Sequence, residues 1–288
     1  MAQADRVLVG HPEAKADLEC ALLDLTGQIA GLPIADLVGG RHRDSIPLSF
    51  SVANPDFDAD LADIARIWDD GGRIFKLKTG FADHAFDLMR LEKLRAQYGG
   101  DIRLRIDYNH GLPAYDAIRH IRDLKASRPE FVEQPVRMHE REALAEITRA
   151  VDVPITADQS VFNVHEAVQA AGMRMADIFS LKTAKSGGIR RCIEITAIAR
   201  AAGIEVYGGW KFETSIAHMA GAHLMAAIPD LTLGCDYYMS TYYAQAEIAT
   251  EAFPVSNGHV HLPTAPGLGT APDPESIARY RTQLLEDT

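Results

Sequence analysis

The feature that most constrains this chain is an alternation. Short apolar runs recur about every 25 residues: IPLSFSV (46–52), IFKLK (74–78), IRLRID (102–107), EFVE (130–133), PITAD (154–158), IFSLK (178–182), EVYGG (205–209) and LTLGCD (231–236). Amphipathic helices fill the gaps. Ala114, Ala117, Ile118, Ile121 and Leu124 make one apolar stripe, the spacing of a helix with one buried face. Another helix is predicted over about 188–202, ending at Gly203. Near the N-terminus, HPEAKADLECALLDLTGQIAG predicts a helix whose apolar face is Leu18, Ala21, Leu22, Leu25 and Ile29, stopped at Gly31. Strands alternating with helices are parallel strands joined by crossovers. Eight of them suit a closed barrel better than an open doubly wound sheet. After residue 240 the rhythm breaks. GHVHLP (258–263) reads as a lone strand, PGLG (266–269) as a turn, and DPESIARYRTQLL as a last helix.

Composition narrows the function classes. The chain has 288 residues, 47% of them hydrophobic and 24% charged, as expected of a soluble globular protein. No apolar run is long enough to span a bilayer, and MAQADRVLVGHPEAK lacks the order of a signal peptide. Cys20, Cys192 and Cys235 are too few and too scattered for a disulfide framework or a zinc site, which points to a reducing cytoplasm. A net charge of −11 argues against nucleic acid as a partner. It leaves room for a small anionic substrate at a local basic site.

The catalytic groups of a parallel barrel gather at the C-terminal ends of its strands. Here Lys76 and Lys78 end the second run, Asp107 the third, Glu133 the fourth, Asp158 the fifth and Lys182 the sixth. One acid after a strand commonly just begins a loop. Three on consecutive strands, flanked by lysines on both sides, are a site. Three converging carboxylates repel one another. A hard divalent cation removes the conflict, and all-oxygen donors favour Mg²⁺ or Mn²⁺ over zinc. His110 and His218 fall near strand ends, although isolated histidines are usually structural. Three carboxylates and one divalent cation leave a net charge of −1. Lys76, Lys78 and Lys182, all protonated, bring it to +2, which a dicarboxylate neutralises.

These parts suggest a chemistry. A cation on a substrate carboxylate draws electron density from it, so loss of the adjacent proton gives an enediolate whose charge lies on oxygen. Lys78 is expected to move that proton. Lys76, two residues away on the same strand face, is expected to stabilise the oxygen charge and to keep its neighbour's pKa low.

The succession KLK, RIDYN, VEQP, ADQS and LKTAKSGG resembles the enolase superfamily, specifically its muconate lactonizing (muconate cycloisomerase) group. The lysine-plus-magnesium site is the known pattern of that superfamily. The resemblance runs from about residue 12 to the end and includes PIADLVGG, VYGGWKFETS, LGCDYYM and LPTAPGLG. It implies a modified TIM barrel, (β/α)₇β, in the α/β class, with a remnant of an α+β capping domain. It also implies Asp107, Glu133 and Asp158 as metal ligands, Lys78 and Lys182 as acid/base lysines on opposite faces of the substrate, Lys76 as a helper, and Glu213 as a family glutamate at the seventh strand. The expected organisation is a cap remnant over 1–44, the barrel over 45–240, and a segment over 241–288 that packs back toward the cap.

Three departures stand out. Gln159 replaces a glutamate after Asp158. WKFE (210–213) replaces a more usual TMLE, putting Trp210 and Lys211 at the mouth, with Tyr237 and Tyr238 either nearby or simply packed. The chain also enters the family pattern near the last cap helix, as a truncated gene model, a fragment or a short natural form would, and a more open, wetter site is expected. The leading expectation is a metal-dependent cycloisomerase that interconverts a lactone and an unsaturated dicarboxylate. A racemase or epimerase of amino-acid derivatives or dipeptides, using Lys78 and Lys182 as a two-base pair, is the alternative. A catalytically weak metal-binding barrel is the third reading. The expected partners are a small carboxylate substrate and other copies of the chain, with no nucleic acid or membrane.

Overall fold

The computed structural model describes residues 1–281. Seven parallel strands run β2 (Ser49–Val52), β3 (Ile74–Lys78), β4 (Arg103–Asp107), β5 (Val132–Glu133), β6 (Ile155–Ala157), β7 (Ile178–Leu181) and β8 (Glu205–Gly208), each hydrogen-bonded to the next in chain order. The first apolar run is split at Leu48. Its front half, β1 (Ser45–Pro47), leaves the barrel for a three-stranded antiparallel sheet with β9 (Val255–Ser256) and β10 (His259–His261). The strand expected to stand alone near residue 260 is therefore paired on both sides.

The eighth run is not a strand of any length. Gly234 sits at φ +74°, which interrupts extended backbone. What remains is Cys235, which bridges in parallel to both Leu48 and Gly208. Its carbonyl accepts from Ser49 N (2.8 Å) and its N–H donates to Pro47 O (3.0 Å), while Asp236 N donates to Gly208 O (2.8 Å). One residue thus closes the seven-stranded sheet into a barrel and delivers Asp236 to its C-terminal rim.

Helices cover the outside of the barrel. Phe57–Asp69 begins at Asp56, whose carboxylate accepts from Asp58 N, and it buries Phe57, Ile64 and Ile67. His84–Tyr98 and Val164–Met173 start from Asp83 and Asn163 caps in the same manner. The stripe on Ala114–Asp123 faces inward as predicted, with Ala117 and Ile121 buried. The helix Ile189–Ala201 matches its predicted span and is followed by Gly203 at φ +71°.

The N-terminal helix, Pro12–Ala30, overturns an expectation. Leu18, Leu22, Leu25 and Ile29 are 46%, 47%, 57% and 79% exposed. The buried face is Ala16, Glu19, Leu23 and Gly27. Small residues decide this orientation. A Cβ on Gly27 would stand 2.7 Å from the Gly267 backbone, and Gly188 lies directly against Glu19. The close-packing face is the one that fits the barrel, and the leucine stripe points away. The last helix is described as Pro274–Tyr280. The remainder of its predicted span, from residue 282, lies outside the described residues. Among the described residues, no helix is long and apolar enough to cross a membrane.

Candidate active site

Parallel register brings the strand ends into one ring. Lys78 lies beside Asp107 and Asp107 beside Glu133. Glu133 pairs with Thr156, two residues before Asp158. A cavity of about 750 Å³ opens above this ring. Its floor includes Lys76, Lys78, Asp107, Asp158, Lys182 and Lys185. Glu133 is buried just beneath, 2.7 Å from Lys76.

The lysines and acids interlock. Lys78 Nζ donates to Asp107 Oδ2 (2.6 Å) and Asn109 Oδ1 (2.8 Å). Lys182 Nζ donates to Asp158 Oδ2 (2.5 Å). Lys76 Nζ is ion-paired to Glu133 and Asp236 and lies 3.7 Å from Asp107 Oδ2. Lys76 and Lys78 thus meet across one carboxylate, and this allows two ammonium groups to share a strand face. Burial disfavours the charge on Lys76, but Asp236, Glu133 and Asp107 outweigh it and hold the ammonium well above the ordinary lysine range. It is a fixed cation.

The acids differ from one another. Burial works against the Asp107 carboxylate, yet Lys78 and Lys76 overcome it and lower its pKa. Burial likewise opposes Asp158, and Lys185 and Lys182 pull it well below the usual carboxylate range. Glu133 goes the other way: burial, with Asp107 and Asp158 adding like charge, raises it despite Lys76. Its Oε1 is buried without a partner. Lys182 is raised, because Asp158 and Glu133 outweigh its burial. Among the described residues, no three acidic, imidazole or thiol groups converge as a ready-made metal cluster. Instead a lysine holds each carboxylate.

Two residues of this ring were not singled out from the sequence. Lys185, three positions after Lys182 on the short helix Thr183–Ser186, is fully buried and donates to Asp158 O (2.7 Å), Asp158 Oδ1 (3.0 Å) and Ser180 O (2.8 Å). Its burial lowers its pKa. Asp236 is 0% exposed and obeys the same strand-end rule as the other acids, so LGCD carried the signal. The two additions have opposite charge and leave the formal count unchanged. Gln134 is a third contributor. Its Oε1 accepts from Asp158 N (3.0 Å) and Ser160 N (3.2 Å), fixing the turn that bears Asp158.

Several candidates lie elsewhere. Glu213 does not line this cavity. It faces a neighbouring one of about 400 Å³ beside the helix Pro12–Ala30, accepts from Lys211 N (3.2 Å), and is pushed up by burial. His218 is buried between Tyr237 and Phe253, with Nδ1 2.9 Å from Ser240 Oγ. His110 is outside the cavity lining, as are Tyr237 and Tyr238, which are core residues. Trp210, Lys211 and Gln159 do line it.

Comparison with known proteins identifies the family. The family model described as enolase C-terminal domain-like matches residues 60–276. Muconate cycloisomerase 1 of Pseudomonas putida is 34% identical over 97% of this chain and 75% of its own length. A chloromuconate cycloisomerase of Cupriavidus necator is 33% identical over 96% and 75%. Among solved structures, a muconate cycloisomerase from Azorhizobium caulinodans is 43% identical, with a TM-score of 0.89 over 96% of this chain and 78% of that one. The enzyme from Pseudomonas fluorescens is 33% identical, with a TM-score of 0.94 over 98% and 78%. Fold, ring of strand-end residues and relatives together place the chain in the enolase superfamily, within its muconate cycloisomerase group, and make it an enzyme of the isomerase class.

Proposed function

We propose that this protein is a divalent-metal-dependent cycloisomerase of the muconate type, interconverting an unsaturated dicarboxylate and its lactone. The observation that carries the reading is the placement of Asp107, Glu133 and Asp158 at the ends of three adjacent strands, with Lys78 and Lys182 bonded to the two outer acids.

Asp107, Glu133 and Asp158 would hold Mg²⁺ or Mn²⁺. The donor set fits: it is all oxygen, mutually repulsive, and includes the unpartnered Oε1 of Glu133. Lys78 and Lys182 are the two lysines able to turn away from these acids. Their side chains are 26% and 12% exposed, against 3% for Lys76 and 2% for Lys185. When bound, the cation supplies Lewis-acid polarisation of the substrate carboxylate. Lys78 takes or returns the proton on the adjacent carbon. Lys182, on the far side of the ring, provides the opposite face. Lys76, locked between Glu133 and Asp236, supplies a permanent positive charge for the developing enolate oxygen. Glu213 sits behind this machinery in the adjoining cavity, where burial raises its pKa and Lys182 counters part of that rise.

The test follows the loss of the conjugated diene's ultraviolet absorbance from cis,cis-muconate with Mn²⁺. Metal-dependent loss that disappears with EDTA and in Lys78→Ala is expected. A folded, metal-binding protein that leaves muconate unchanged overturns the reading. Racemisation of an N-acylated amino acid, requiring both Lys78 and Lys182, is then the next assay.

A further inference from the structure

The floor of the cavity is charged, and its rim is aromatic. Phe81 follows β3, Phe162 follows β6, and Trp210 and Phe212 follow β8; all four line the same cavity. The strand order β2 to β8, closed through Cys235, spaces these three loops around the mouth. They form a collar rather than a single patch.

Each ring has something holding it. The Arg90 guanidinium, itself fully buried, lies 5.1 Å from the Phe81 ring, and Phe86 meets Phe81 edge-on at 6.2 Å. Lys185 Nζ is 5.6 Å from the Phe162 ring, and Phe162 N donates to Glu166 Oε2 (2.7 Å). Trp210 packs edge-on against Tyr238 at 5.0 Å and Phe212 at 5.2 Å. Yet Phe81 remains 47% exposed and Phe212 87%. Positioned aromatic surface left open at a cavity mouth marks a ligand contact.

Charge at the rim points the same way. Among the described residues, Lys211 is the one charged rim side chain, and Glu13 Oε1 holds its ammonium at 2.8 Å. The lysines that can receive carboxylates are all on the floor. A muconate-sized acid would fill only part of the 750 Å³.

We propose that Phe81, Phe162, Trp210 and Phe212 form a specificity subsite for a planar apolar group, an aryl ring or a hydrocarbon of similar size, carried by the carboxylate that the floor binds. This rests on the floor being the acid-binding site of the proposed cycloisomerase, and it extends the substrates of that site to carboxylates with a bulky apolar substituent.

The chain has two tryptophans, Trp68 and Trp210. Trp68 is held against Tyr98 and Arg73, outside the cavity lining. Trp68→Phe therefore leaves Trp210 as the sole tryptophan, a rim reporter excited selectively over the tyrosines. The Mn²⁺-loaded protein is titrated with 3-phenylpropanoate and, separately, with propanoate. The phenyl acid should change Trp210 emission and bind about tenfold tighter or better, the scale expected for burying an apolar group in a fitted pocket. Phe81→Ala with Phe212→Ala should bring the affinity ratio of the two acids toward one, and the circular dichroism melt reports whether that variant is folded. Equal affinities in the parent overturn the subsite, as does a phenyl advantage that persists in a folded rim variant. Binding is read without turnover, so the two proposals fail separately. Muconate turnover without a phenyl advantage removes the subsite alone. A rim-dependent phenyl advantage without muconate turnover removes the cycloisomerase reading alone.

Discussion

Lys182 Nζ lies 2.5 Å from Asp158 Oδ2, so a lysine expected to move protons is hydrogen-bonded to an acid expected to hold metal. The same relationship joins Lys78 to Asp107 at 2.6 Å. An ammonium and a divalent cation would therefore draw on the same oxygens. Lys182→Ala and Lys78→Ala should each lower turnover by roughly 10²- to 10⁴-fold, the usual contribution of a general acid/base. Both should bind Mn²⁺ more tightly than the parent, because a competing positive charge is gone. Electron paramagnetic resonance of free Mn²⁺ during a titration measures this. Weaker metal binding in both variants would contradict the shared-oxygen arrangement.

Asp236 and Lys76 are a pair fully enclosed by the barrel. Removing one partner of a buried ion pair typically costs about 3–5 kcal/mol. Asp236→Asn should show a loss of that order in urea unfolding. It should also lower kcat, since Lys76 would then be held by Glu133 alone on that side.

His218 makes stability depend on pH. Burial pushes its imidazole from 6.5 down to about 3. Below pH 6.5 the unfolded chain takes up a proton that the folded chain refuses. The stabilisation is complete above that pH and is lost as pH falls toward 3. At pH 5 the loss should be roughly 2 kcal/mol relative to pH 7, at about 1.4 kcal/mol per pH unit. His218→Phe, set between Tyr237 and Phe253, should flatten that part of the urea-stability profile.

Gly234 carries the closing seam of the barrel. A Cβ there would stand 2.1 Å from Pro47 O, on a backbone at φ +74°. Gly203 has a similar φ of +71° but open space around it. Gly234→Ala should cost clearly more than Gly203→Ala, for which the conformational penalty alone is about 1–2 kcal/mol. Differential scanning calorimetry of the two variants separates strain from collision.

The orientation of the helix Pro12–Ala30 is tested by neighbouring leucines. Leu23 is 5% exposed and Leu22 is 47% exposed. Leu23→Ala should cost about 2–5 kcal/mol, whereas Leu22→Glu should stay within about 0.5 kcal/mol of the parent.

The sequence by itself determined the architecture and most of the ring. Strand period, helix stripes and an acid or lysine at each strand end are local patterns, and parallel barrel geometry converts each strand end into a position on one rim. Asp107, Glu133, Asp158, Lys76, Lys78 and Lys182 could therefore be named from position alone. The tertiary structure decided whatever depends on which surfaces meet. Hydrophobicity favoured the leucine face of the helix Pro12–Ala30 for the core. Small residues at 16 and 27 allowed closer packing, and they turned that face outward. Lys76 reads in sequence as a lysine crowded by Lys78; Glu133, and Asp236 arriving from a segment 160 positions later, make it a fixed cation. Glu213 follows a strand like the others, yet its turn directs it into the adjoining cavity. Side-chain destination and ion-pair partner are long-range properties, set by chain segments that a local pattern does not contain.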